Sequence, residues 1–233
     1  MRWILWTAAI VLAVLALFFP LRLAIEAADL PRFGLAARDV SGSIWDGRIG
    51  GLALGRQDLG SFDVQLRPGP LLLGRAAMRF DRRDELQGPL SGTLLSGGQT
   101  HGVEGLTGRL SAALLFAPVP VEALEFDGVT VLFANGACRE ARGQMTAVVG
   151  TRFGGLDLTR GLAGPVSCEG QRVRARLASA GGRESLEFFL AEDGRYRAFM
   201  TLRGVPQQVA APLGLLGFQT GPDGLTLTMS SRL

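Results

Sequence analysis

The stretch EDGRYRAFMTLR, residues 192–203, decides the fold class. From Arg195 onward its residues alternate, with Tyr196, Ala198, Met200 and Leu202 on one side and Arg195, Arg197, Phe199, Thr201 and Arg203 on the other. A period of two sends successive side chains to opposite faces of a strand, whereas an amphipathic helix repeats every three or four residues. Just before the alternation stands Asp193-Gly194, a dipeptide suited to the positive φ angles of a two-residue hairpin turn. The stretch therefore reads as the second strand of a hairpin with one apolar and one solvated face.

The same pattern recurs outward from it. Phe62, Val64 and Leu66 oppose Asp63, Gln65 and Arg67; Val173, Ala175 and Leu177 oppose Arg172, Arg174 and Arg176; Leu225, Leu227 and Met229 oppose Thr226, Thr228 and Ser230. One apolar and one polar face is the mark of antiparallel sheets. Further turns are expected at FDGV (126–129) and GPDG (221–224). The segments VSGSI (40–44), LSGTL (90–94), LTGRL (106–110) and ARGQM (141–145) share a central glycine, and their irregular spacing argues for similar strands rather than a counted repeat. Two short helices are expected, near 119–124 (VPVEAL) and at 206–216 (PQQVAAPLGLL). The fold class is all-β, a curved and twisted antiparallel meander resembling a half-barrel.

Residues 3–21, WILWTAAIVLAVLALFFPL, carry no charge. As a helix this segment would rise about 28 Å, close to the hydrocarbon thickness of a bilayer. Trp3 and Trp6 stand at one end, where indoles favour the headgroup level, and are the expected interface anchors. A cleaved signal peptide is the competing reading, but its apolar region is shorter and ends in an A-x-A-like site, which LRLAIEAAD (21–29) does not offer cleanly. The expected organisation is a transmembrane signal anchor over 1–22, a connector over 23–38 and one periplasmic β-rich domain over 39–233.

Cys138 and Cys168 are the two cysteines. No histidine or further cysteine lies near them to make a zinc pattern, and in an exported domain such a pair is expected to form a disulfide. His101 is the single histidine, in SGGQTHGVEG (96–105), which reads as a polar loop. Neither a phosphate loop, a zinc-protease helix, a nucleophile elbow nor a dinucleotide fingerprint is present. Acid pairs such as Asp81/Asp84 and Glu192/Asp193 stand beside arginine or in turns. No catalytic residue, cofactor site or metal site is assigned, and the chain reads as a non-enzyme. Every basic residue is arginine, yet the 24 basic residues nearly balance 21 acids. Without a basic patch interleaved with aromatics, nucleic acid is not an expected partner. The row Arg172, Arg174, Arg176 reads as a solvated strand face.

One short motif remains. In GSIWDGRI, residues 42–49, Trp45 stands between Gly42 and Gly47. Ser43 and Trp45 would share a strand face, with Asp46-Gly47 as a turn and the indole plugging the core at the membrane-proximal end; a contact to a partner or to lipid is the alternative. A side chain at Gly47 would harm folding if that glycine takes a positive φ. With the amino-terminal anchor, the two later cysteines and the terminal GLLGFQTGPDGLTLTMSSRL (214–233), the motif resembles the type II secretion system protein N family. The resemblance implies a non-enzymatic accessory protein of the general secretion machinery, a single-pass protein of the bacterial inner membrane with its bulk in the periplasm. Its partners would be other secretion components, supporting export of folded proteins. A curved sheet hung from one membrane helix also resembles AsmA-like envelope lipid-transfer proteins, in which an apolar concave face would carry lipid.

Overall fold

The computed structural model describes residues 3, 6, 18–27, 35–55, 57–84, 87–112, 121–150, 161–205, 207–222 and 224–232. In chain order these form α1 (Leu21–Ala27), β1 (Leu35–Ala36), β2 (Asp39–Gly42), β3 (Gly47–Leu54), β4 (Gln57–Leu66), α2 (Pro68–Leu71), β5 (Ala76–Asp84), β6 (Gly88–Gly97) and β7 (Thr100–Ser111). They continue as β8 (Val121–Ala134), β9 (Ala137–Val149), β10 (Leu162–Glu169), β11 (Arg172–Ala178), β12 (Glu184–Leu190), β13 (Arg195–Leu202), α3 (Gln207–Leu215), β14 (Gln219–Gly221) and β15 (Gly224–Arg232). The stretch expected as a connector contributes β1 and most of α1, which begins at Leu21 within the expected anchor.

The strands make one open sheet of 15, in the order β1-β3-β4-β5-β6-β7-β8-β9-β10-β11-β12-β13-β15-β14, with β2 also paired to β3. Every pairing is antiparallel. From β3 to β13 each strand pairs with the next in sequence, so the all-β meander is what the chain forms. The turn at Asp193-Gly194 joins β12 to β13, and GPDG joins β14 to β15.

Two local expectations are corrected. Residues 121–124 of VPVEAL lie in β8, with Val121 opposite Val149 and Leu124 opposite Ala147. Burial of Val121 and Ala123 to 0% and 2% exposure shows why pairing overrides a weak helical composition. FDGV is not a turn either, because β8 runs through it with a bulge between Asp127 and Thr130. The turn from β8 to β9 is Asn135-Gly136, whose φ angles of 54° and 79° are both positive, as a type I′ hairpin requires. The expected helix at 206–216 is present as α3.

The bulge in β8 faces one in β7, at Gly105 (φ 63°), while Gly128 takes φ 61°. The Gly105 N–H donates to Thr130 Oγ1 at 3.2 Å, and the Gly128 N–H donates to Thr107 Oγ1 at 3.1 Å. Each threonine thus satisfies a donor that the neighbouring strand's irregularity takes off the ladder. Paired bulges raise the local twist and bend the sheet, and two contacts measure the bend. His101 Nε2 lies 3.0 Å from Glu192 Oε1 in the turn that follows β12, although β7 and β12 are five strand spacings apart, about 24 Å in a flat sheet. Gln57 Nε2 donates to the Ser111 carbonyl at 2.9 Å, joining β4 to β7. The sheet curls around its apolar face.

That face holds two core clusters. The larger runs over β8 to β13 and β15 and is capped by Leu213 of α3 and by Phe218. The smaller gathers Ile49, Phe62, Val64 and Leu90 around Leu21 of α1. Leu106 and Phe126 pack against both, so the apolar face is continuous.

Candidate functional site

The GSIWDGRI motif forms the turn between β2 and β3, and it is a junction. The Ser43 N–H donates to the Asp46 carbonyl at 3.1 Å, and Ser43 Oγ accepts from the N–H groups of Trp45 (3.3 Å) and Asp46 (3.2 Å). Serine at the head of such a turn supplies these bonds locally. The two backbone bonds of Ile44 then leave the hairpin. Its N–H donates to the Phe19 carbonyl at 3.1 Å, and its carbonyl accepts from Leu66 N–H at 2.8 Å. Pro20 bridges Ser43. The turn therefore ties the end of the apolar amino-terminal segment to the end of β4.

Both glycines are explained by close approach. Gly42 takes φ 83°, and a Cβ there would lie 2.5 Å from the Asp46 carbonyl oxygen. Gly47 is not at positive φ. It is required because a Cβ would lie 2.6 Å from both Leu21 Cδ2 and the Ser43 oxygen. Leu21 fills this space and is 0% exposed. Trp45 lies in the turn rather than at a strand end and is partly buried, so the fully enclosed residue at this junction is Leu21. Leu21 ends the uncharged run 3–21, so the sequence pattern alone does not separate it from the membrane segment or mark it as core.

Trp3 and Trp6 have helical backbone and are exposed. The rest of the expected span up to residue 17 lies outside the described residues. Among the described residues no helix is long and apolar enough to cross a membrane.

Arg82 was also missed. It is 1% exposed, on the apolar face of β5. Its Nε donates to the Gly88 carbonyl (3.1 Å), and Nη1 donates to the Leu59 carbonyl (2.7 Å) and to Gln87 Oε1 (3.1 Å). Nη2 donates to the Gln87 carbonyl at 3.2 Å and to the Arg109 carbonyl. All five guanidinium donors are used, and the cation lies 5.7 Å from the Phe62 ring centroid. Desolvation lowers its pKa below the ordinary guanidinium value, opposed by Asp84 and Asp58. Its partners span β4 to β7, so it clasps the curl from within. The alternation around Arg79, Arg82 and Arg83 carries no signal that distinguishes the buried arginine from exposed ones.

Cys138 and Cys168 are joined, with Cα atoms 5.6 Å apart across the end of β9 and β10. His101 is in β7 rather than in a loop, because the turn is confined to Gly98-Gln99. It stacks on Phe133 at 6.2 Å and pairs with Glu192. Asp81 and Asp193 pair with Arg83 and Arg195. Among the described residues no three metal-ligating side chains come together.

On the polar face, Arg174 pairs with Glu169 (2.9 Å) and Glu187 (3.0 Å), and Arg176 with Glu187 (3.3 Å). On the apolar face, Leu94 is 49% exposed, and Val103, Leu106, Phe126, Val131 and Ala141 nearby are only partly buried. Among the described residues these side chains are the less enclosed part of the apolar face.

No curated protein and no solved structure matches the chain. A family model for type II secretion system (T2SS), protein N, matches residues 34–228. The match begins beside β1, takes in the junction hairpin, both cysteines and the whole curled sheet through most of β15, and covers well over half of the chain. The chain belongs to the type II secretion system protein N family.

Proposed function

We propose that the chain is a non-enzymatic, inner-membrane-anchored accessory component of the type II secretion machinery, supporting export of folded proteins from the periplasm. The family match over residues 34–228 carries this reading. The junction supports the anchoring: backbone bonds from Phe19 and Pro20 to the β2–β3 turn start the sheet directly where the apolar segment ends. An apolar span ending before Phe19, shorter at its far end than the expected 3–21 because Phe19, Pro20 and Leu21 join the sheet, would then hold the sheet at the membrane surface, in one pass, with the disulfide in an oxidising compartment. The role is that of a scaffold, with other secretion components as partners. Deletion of the gene should leave the exported proteins folded in the periplasm while envelope permeability stays normal. Normal export in the deletion strain would refute the reading.

The less enclosed apolar side chains around Leu94 favour a second reading, in which the curled face carries an acyl chain. Phospholipid that co-purifies with the protein, and a permeability defect without an export defect, would support it over the first.

A further inference from the structure

The two edges of the sheet are built differently. At the first, β3 is covered by two short pieces, β1 and β2, with a break between them, which blunts it as an edge. At the other, β14 pairs only with residues 224–226 of β15. Residues 227–232 pair with β13 on their inner side and have no strand partner on the outer side among the described residues. Alternate residues of an antiparallel strand point both backbone groups outward, so among the described residues this stretch offers unpaired groups to another strand. It contains no proline or bulge, and its one charged residue, Arg232, stands at its end.

A second observation lies beside it. Across the polar face the registers align Arg174, Phe189, Arg197 and Ser230 in one row ending at the open edge. A depression of about 410 Å³ is lined there by Arg172, Phe189, Arg195, Arg197 and Ser230. Arg195 pairs with Asp193, whereas Arg172 and Arg197 are exposed and make no ion pair among the described residues. Ser230 is small, so nothing stands between Arg197 and the edge in that row.

We infer that the outer edge of β15 accepts an extended, acidic segment of a partner protein as an added antiparallel strand. Backbone bonds to residues 227–232 would supply affinity. A carboxylate placed opposite Ser230 would sit about two strand spacings from Arg197, within reach of two long side chains. A second copy of this chain is disfavoured as the occupant, because self-pairing would bring two arginine-rich rows together. The inference does not rest on the secretion reading.

The test uses the full chain in detergent micelles and a labelled octapeptide alternating threonine and glutamate. Two controls accompany it: a threonine/lysine peptide, and a proline/glutamate peptide of equal charge that cannot join a ladder. The acidic strand former should bind about tenfold or more tighter than either control. It should also slow hydrogen exchange of amides within 227–232. Arg195→Glu/Arg197→Glu should abolish binding without lowering the melting temperature, and Thr228→Pro should weaken it. Equal binding of the proline/glutamate peptide, or no protection of the edge amides, would overturn strand addition whether or not Thr228→Pro folds. A dimer in sedimentation that Thr228→Pro dissolves would reassign the edge to a second copy and overturn the proposal. Capture of phosphatidylglycerol vesicles through the same arginines, with no peptide binding, would overturn it in favour of a membrane surface.

Discussion

Replacing Arg82 by methionine tests whether the curl is held from inside. Methionine preserves much of the stem volume while removing the five donated bonds. Four backbone carbonyls, those of Leu59, Gln87, Gly88 and Arg109, lose their donor. A buried acceptor left unmet costs about 1–3 kcal/mol, and carbonyls fall at the low end, so the gross loss is about 4 kcal/mol. Deleting a desolvated cation returns part of this, leaving a net cost of about 3 kcal/mol. Apolar replacements of buried ionic groups are often neutral when every partner is replaced with them, but here the partners are main chain and remain. For a chain of this size the shift in melting temperature is about 6–12 °C. Urea unfolding of the full chain, followed by far-ultraviolet circular dichroism, should show a lower midpoint with an unchanged slope. Arg82→Lys, with three donors instead of five, should fall between. A methionine variant within about 1 kcal/mol of the wild type would refute the clasp, because water could then serve the same carbonyls.

Three further outcomes follow from the geometry. Cys138 and Cys168 are 30 residues apart in sequence, so replacing both by serine should cost about 3.5 kcal/mol in the chain-entropy model; thiol labelling of the denatured, unreduced wild type should find no free cysteine. Gly47→Val should displace Leu21 and the Ser43 carbonyl, each 2.6 Å from the new Cβ, giving a drop of about 2 kcal/mol or more by overpacking that calorimetry would detect. Trp45→Ala should cost less than the roughly 3–5 kcal/mol of a fully buried aromatic, since the side chain is only partly buried; a variant that melts near the wild type yet fails to support export would make this indole a contact for a partner.

The sequence by itself determined the fold class, the hairpins at Asp193-Gly194 and GPDG, the helix at 206–216 and the disulfide. These rest on period-two alternation, turn chemistry and cysteine count, all of which act over a few residues or follow from composition. The junction motif was also legible as something special, because two glycines flank a lone tryptophan in GSIWDG. Why they are needed was not. Gly47 is demanded by Leu21, a residue from another element, and close approach between distant segments leaves no local pattern. The same holds for FDGV, where a turn dipeptide serves as a bulge because β7 and β9 hold β8 straight through it. Arg82 looks like any other strand arginine until four strands wrap around it. The tertiary structure alone decided which face curls inward, which arginine is enclosed and, among the described residues, which edge has no strand partner. Each is a contact between strands distant in sequence, and alternation assigns a side chain to a face without saying what will stand opposite it.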